Sequence, residues 1–253
     1  MKKMLRLLYF QSIFFRRIIN VLLWFSRPQN RLATGHLATF QEESIHSSIQ
    51  RDEALFLFGI IRAIRPKIVV EFRFHCGHSA FNFLQALSGA GQLYSYDISD
   101  ESCRIAAKCF AQYTNFHFLK KSQEFFSPDD VGGGKRISFI DASHDLKSNQ
   151  KTFSALVPSL ADKAIVGVHD TGTWFKKYFS PDARAFADSR PDNWINDEEF
   201  YPIEAERGFV NWIGCNYPDF QIIHFHSKNH LRYGITLLQK NRLLNNRSGL
   251  DPV

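Results

Sequence analysis

The stretch Lys67 to Ser79, KIVVEFRFHCGHS, decides the fold. Ile68, Val69 and Val70 are β-branched and continuous rather than alternating, which predicts a strand buried on both faces, as in a parallel sheet covered by helices. Pro66 ends the helix expected before it, and Glu71 adds a carboxylate at the end of the apolar run. Gly77 allows a close backbone approach. Ser79 is expected to cap a helix over Ala80 to Leu87, so that amide groups and a positive helix end face a ligand.

The same grammar recurs downstream. About twenty residues past Gly77, Gln92 to Ile98 (QLYSYDI) predicts a second strand ending in Asp97, at the distance where a ribose-binding carboxylate sits in nucleotide-binding βαβ units. Phe116 to Leu119 reads as a third strand. Ile137 to Ile140 runs into Asp141-Ala142-Ser143-His144, and Ala164 to Val168 into His169-Asp170-Thr171. Acids or imidazoles therefore stand at four strand ends, where open α/β sheets bind ligands. The expected fold is an α/β, doubly wound, Rossmann-like sheet, mostly parallel, with a hairpin-like, antiparallel C-terminal end of two strands, Phe220 to His226 and Tyr233 to Gln239, joined by Ser227 to Arg232.

These motifs, in this order, resemble the class I S-adenosylmethionine-dependent methyltransferases. The nearest likeness is to the small O-methyltransferase branch, which has an E-x-G-x-x-x-G-x-S loop, an F-I-D-x-x-H strand end and an H-D strand end. The matching residues are Glu71, Gly77 and Ser79, then Tyr96-Asp97, then Phe139-Ile140-Asp141 with His144, then His169-Asp170. Arg73 stands where the family usually has its first glycine. The resemblance covers roughly Ile60 to Lys240. It implies S-adenosylmethionine as cofactor, held by Glu71, Gly77, Ser79, Asp97 and, near the adenine, Ser122. It also implies a hydroxyl acceptor on a small molecule, sugar or lipid-linked compound. His144 and Asp141 are the catalytic candidates. The metal-dependent members place their ligands where Asp141, His169 and Asp170 stand here; oxygen ligands would favour Mg²⁺, and a direct His169 ligand Mn²⁺, Fe²⁺ or Zn²⁺.

Two other readings stay open at this level. One is a catalytically degenerate methyltransferase-like module that binds partners at a membrane surface, for which Arg73 and the basic N-terminus speak. The other is a metal-dependent hydroxylase-like relative, for which His169 speaks. A nicotinamide dehydrogenase is disfavoured because the G-x-G-x-x-G loop is missing.

Charge and composition narrow the classes further. The formal charge is +6, yet residues 1–41 hold Lys2, Lys3, Arg6, Arg16, Arg17, Arg27 and Arg31 and no acid, so the rest of the chain is close to neutral. That body has no charge excess for general nucleic-acid binding. Residues 1–26 are apolar but cut by Arg6 and Arg16-Arg17, too short a run to span a bilayer. They read as a basic, imperfectly amphipathic helix, either lying on an anionic membrane surface or packed against protein. Residues 27–41 read as a linker, and residues 42–253 as the methyltransferase-like domain.

Between these landmarks the acids of the helix before the first strand, Glu42, Glu43, Asp52 and Glu53, are expected on a solvated face. Ser127 to Lys135 (SPDDVGGGK) reads as a flexible connection, since it lacks the phosphate-loop spacing. Thr171 to Asn196, long and aromatic, reads as a lid over the strand ends. The four cysteines show no C-x-x-C or metal spacing, which predicts reduced, mostly buried thiols and a cytoplasmic protein, peripheral to a membrane if residues 1–26 bind one.

Overall fold

The structure is a computed structural model of the 253-residue chain and describes residues 35–40, 49–132, 135–140, 145–171, 206–225 and 234–241. Seven strands form one sheet in the order β3-β2-β1-β4-β5-β7-β6. They are β1 (Ile68–Phe72), β2 (Gln92–Asp97), β3 (Phe116–Lys120), β4 (Lys135–Ile140), β5 (Leu160–His169), β6 (Phe220–Phe225) and β7 (Ile235–Lys240). The first five pair in parallel, whereas β7 is antiparallel to both β5 and β6. The chain winds outward from β1 in one direction and returns to its other side with β4. That reversal places a topological switch point beside β1, where such sheets take ligands.

Every residue of β1 is buried, as its unbroken apolar run requires. One face of the sheet is covered by α1 (Arg51–Ile64), α2 (His78–Leu87) and α3 (Asp100–Cys109); Leu57, Ile61, Phe83 and Leu87 pack there with Val69, Leu93 and Phe139. The other is covered by α4 (Leu146–Leu156) and α5 (Glu206–Asn216), whose Phe153, Leu156, Phe209 and Ile213 meet Val70, Phe72, Val166 and Leu238. At about 1.5–3 kcal/mol for each fully buried aliphatic or aromatic side chain, these two layers supply most of what holds the sheet between its helices.

Local chemistry sets the boundaries. Ser99 caps α3, its hydroxyl accepting from the amides of Glu101 at 3.1 Å and Ser102 at 3.4 Å. Asp145 caps α4 through the Ser148 amide at 2.7 Å. Pro158 lies in a 3-10 turn, Val157–Ser159, that ends α4, and β5 starts at Leu160, four residues before the sequence predicts.

Several expectations change in detail. Ser79 does not cap α2: the helix begins at His78, and Gly77 occupies the cap position in the left-handed region at φ 81. Glu53 is not on a solvated face but 4 % exposed. Part of the segment read as a linker is ordered, with a 3-10 turn at Gly35–Thr39 that buries Leu37 and Phe40 and sets His36 Nε2 2.8 Å from Asn82 Oδ1. The segment after β3 carries a 3-10 turn, Pro128–Val131, capped by Ser127. Of the cysteines, Cys76 and Cys103 are half-buried, and Cys109 and Cys215 are exposed, all four as free thiols. The N-terminal helix, most of the lid and the turn after β6 lie outside the described residues. Among the described residues no helix is long and apolar enough to cross a membrane.

Candidate active site

A cavity of about 750 Å³ opens at the C-terminal ends of β1, β2 and β3. The β1–α2 loop forms one wall. Its amides at Arg73 and Phe74 both donate to the Tyr96 carbonyl, at 2.9 and 3.2 Å, which pins the loop to the end of β2. Arg73, His75 and Gly77 all have positive φ (83, 48 and 81°), so the loop makes a tight, repeatedly reversed path. Gly77 is needed there for space as well as conformation, because a Cβ would come within 2.7 Å of Phe74 and 2.8 Å of Phe110.

Asp97 organises the opposite wall. One carboxylate oxygen accepts from the His75 amide at 2.8 Å and the other from the Ser99 amide at 2.9 Å. The acid thus couples the β1 loop to the start of α3, and Ser102 Oγ adds a bond to the His75 carbonyl at 3.0 Å. Each carboxylate oxygen has further lone pairs with which to accept a ligand hydroxyl. Ile98, 69 % exposed, presents an apolar surface beside it in the same cavity. Ser122 and Gln123 form the floor after β3, where the Ser122 hydroxyl also caps a short 3-10 turn through the Glu124 amide at 3.4 Å.

Of the five residues expected to hold a cofactor, Asp97 and Ser122 line this cavity, and Glu71, Gly77 and Ser79 are not among the residues that line it. Glu71 is fully buried within the sheet and accepts a hydrogen bond from Ser95 Oγ on β2. Lys121, which the sequence did not mark out, bridges to Asp130 at 2.8 Å. The Tyr96 hydroxyl donates to the same carboxylate at 2.9 Å. Burial, then the hydrogen bond and charge of Asp130, hold the Tyr96 phenol well above its ordinary range. Burial raises the Asp130 carboxyl, but its bonds from Lys121, Ser127 and Tyr96 outweigh that and leave it below the usual range.

Cys76 also lines the cavity and was likewise missed, although its place between His75 and His78 was a visible signal. Its Sγ lies 3.5 Å from His78 Nδ1. Burial pushes the thiol up, yet the hydrogen bond and charge of His78, with His75, prevail and bring it down to about 6 from 9.0. The same hydrogen bond raises the His78 imidazole, against burial.

At the end of β5, His169 and Asp170 are both buried, and Asp170 adopts a left-handed φ of 58°. His169 Nε2 is 3.0 Å from Glu53 Oε2 on α1, and its Nδ1 is 3.4 Å from Asp170 Oδ1. Both ring nitrogens thus already face carboxylates. Among the described residues no three His, Cys, Asp or Glu side chains converge as a metal site. Asp141 and His144 lie outside the described residues.

With this geometry in hand, comparison with known proteins is direct. Residues 70–171, from β1 to the end of β5, match the family model described as a methyltransferase domain. The matched stretch, which spans the five parallel strands, is thus similar to a methyltransferase domain. A methyltransferase of Podospora anserina, solved with S-adenosylhomocysteine bound, superposes with a TM-score of 0.59 at 13 % identity, covering 83 % of this chain and 87 % of its own. An O-methyltransferase of Bacillus cereus in complex with S-adenosylhomocysteine gives 0.54 at 13 % identity, with 83 % and 90 % covered. An O-methyltransferase of Streptomyces achromogenes involved in tomaymycin synthesis, in complex with S-adenosylmethionine, gives 0.51 at 15 % identity, with 77 % and 82 % covered. At these identities the likeness shows the fold alone. No curated protein matches the chain.

Proposed function

We propose that the methyltransferase domain transfers a methyl group from S-adenosylmethionine to a hydroxyl of a small-molecule, sugar or lipid-linked acceptor. The observation that carries this reading is Asp97. Its carboxylate stands at the end of β2, lines a cavity of about 750 Å³ and is held in place by two loop amides. The donor set fits the cofactor's chemistry: a carboxylate for ribose hydroxyls, the apolar face of Ile98 for a base, and Ser122 and Gln123 for polar edges.

Methyl transfer from a sulfonium is an in-line displacement, so the protein's part is to hold both reactants close and to take the acceptor's proton. In this reading His144, in the four residues after β4, is the base, and Asp141 orients it or the acceptor. Glu71, Gly77 and Ser79 act by fixing the β1 loop. Metal assistance through Asp141, His169 and Asp170 is the less favoured branch, because Glu53 and Asp170 already engage the His169 imidazole. A bound divalent ion would lower the pKa of the acceptor hydroxyl there.

The test is calorimetric titration of S-adenosylhomocysteine into the purified chain, without metal and with Mg²⁺ or Mn²⁺, beside Asp97→Ala. Micromolar binding lost in the variant supports the reading. Absence of binding under every metal condition overturns it in favour of a degenerate interaction module with Arg73 in place of the loop glycine. Metal-dependent binding or turnover would instead favour the metal-assisted branch.

A further inference from the structure

The feature that methyl transfer does not use is the thiol in the cavity wall. Cys76 Sγ lies 3.5 Å from His78 Nδ1, and His75 precedes it in a loop of alternating reversed φ angles. The residue is half-buried and lines the same cavity as Arg73 and Asp97. A thiol that faces a cavity and has an imidazole beside it meets both requirements of a reactive cysteine: access, and a group that stabilises the thiolate.

We infer that Cys76 is a thiol-modification site, at which exchange with a small disulfide fills the cavity and excludes the cofactor. Cys76 Sγ attacks one sulfur of the disulfide, the reagent's S–S bond breaks, and a new S–S bond joins Cys76 to that half. The electron pair leaves on the other sulfur as a thiolate, so Cys76 is oxidised and half of the reagent is reduced with no further reactant. A dithiol reverses the step. Arg73, which lines the same cavity, brings a positive charge that suits disulfides carrying carboxylates. The exchange stands on the geometry of Cys76 and His78 alone; only its consequence rests on the reading of the cavity as a cofactor site.

The thiolate is set by groups on several elements. His75 and His78 flank it along the chain and lower it, outweighing burial, to about 6. The charged groups that share its cavity are Arg73 on the loop, Asp97 and Glu101 at the end of β2 and on α3, and Lys121 and Glu124 after β3.

The test is the pH dependence of reaction with dithiobis(nitrobenzoate), an anionic disulfide, read as released thiolate with the modified residue located by mass spectrometry. The intact chain is expected to show one fast-reacting thiol, Cys76, half-maximal near pH 6. Cys76→Ser removes that phase. His78→Gln, which leaves His75 in place, moves the midpoint up toward the ordinary thiol range near 8.5; a full return would slow the reaction at about pH 5.5 by roughly 20-fold, the gain in thiolate fraction being offset in part by its lower nucleophilicity. A fast phase at another cysteine, or a midpoint that His78→Gln does not move, overturns the inference. Modified protein is expected to lose S-adenosylhomocysteine binding and regain it with dithiothreitol. Unchanged binding overturns the gating consequence. If the reduced chain binds no S-adenosylhomocysteine while the pH profile holds, the cofactor reading fails and the reactive thiol stands.

Discussion

Glu53 Oε2 lies 3.0 Å from His169 Nε2, with both side chains only 4 % exposed, so α1 is tied to the end of β5 across 116 residues. The same carboxylate accepts the Gln50 amide at 3.0 Å, and its other oxygen accepts the Gly234 amide, also at 3.0 Å. One buried acid therefore joins the helix start, the end of β5 and the residue that leads into β7. Removing it leaves a buried imidazole and two buried amides without their acceptor. Glu53→Ala is expected to lower the unfolding free energy by about 3–5 kcal/mol, and Glu53→Gln, which keeps one acceptor, by about 1–3 kcal/mol. Urea denaturation followed by circular dichroism checks both.

That pair also fixes a pH dependence. Burial raises the Glu53 carboxyl, but the charge and hydrogen bond of His169 and the two amides outweigh it, so its folded value lies below 4.5. A lowered folded pKa contributes stability that is present above the unfolded value and is lost as the pH falls through the folded one. Urea midpoints of the natural chain should thus decline on acidification below about pH 4.5, more steeply than those of Glu53→Gln. Equal slopes would show that the carboxylate charge adds nothing.

Gly77 tests the loop. It sits at φ 81, and a Cβ there would meet the Phe74 and Phe110 rings at 2.7 and 2.8 Å. Left-handed strain of about 1–2 kcal/mol adds to overpacking of about 1–3 kcal/mol, so Gly77→Ala is expected to lose about 2–5 kcal/mol. Both rings belong to the aromatic cluster under the loop, so the loop moves rather than the rings, and S-adenosylhomocysteine affinity should fall with stability.

How much of this was legible beforehand depends on whether its cause is local. Ile68 to Val70 announced a doubly covered central strand because β-branched residues without alternation have few other uses, and β1 is buried throughout. The acid-ended second strand was legible in the run from Gln92, and β2 does end at Asp97. Ser79 was misread as a cap because a hydroxyl near a helix start is a local signal; the left-handed turn at Gly77 starts the helix sooner and leaves Ser79 buried. Glu53 was misread because its partner His169 is far away in sequence, and an acid on an apolar helix cannot declare a distant imidazole. The last parallel strand was started at Ala164 rather than Leu160 because Pro158 and the polar Asp162 and Lys163 hide the exposed early part of a strand whose buried half begins at Ala164.

Asp97→Asn separates the two tasks of that carboxylate. An amide keeps one acceptor for the His75 and Ser99 amides and sets an NH₂ against the other, which should cost about 1–3 kcal/mol of stability. If Asp97 accepts ribose hydroxyls as proposed, loss of that charged acceptor is expected to weaken S-adenosylhomocysteine by about 10- to 100-fold beyond that, as a charge-assisted hydrogen bond is worth about 1.5–3 kcal/mol. Calorimetry under conditions where the variant remains folded distinguishes them. Unchanged affinity would place the ligand elsewhere.

Arg73 retains the backbone of a glycine without being one. Its φ is 83°, in the left-handed region, and its amide is bonded to the Tyr96 carbonyl at 2.9 Å. An L residue in that conformation carries about 1–2 kcal/mol of strain, and glycine removes it while adding about 0.5–1 kcal/mol of chain entropy to the unfolded state. Arg73→Gly is therefore expected to be neutral or to stabilise by up to about 1 kcal/mol, read as a rise in thermal midpoint. Arg73 lines the cavity with Asp97 and brings a positive charge to the β1 loop, which suits a ligand carboxylate. The same variant should then bind S-adenosylhomocysteine about tenfold more weakly, an opposite sign for stability and affinity that separates a ligand-binding arginine from a merely strained one. Tighter binding in Arg73→Gly would show that the side chain crowds the cavity instead.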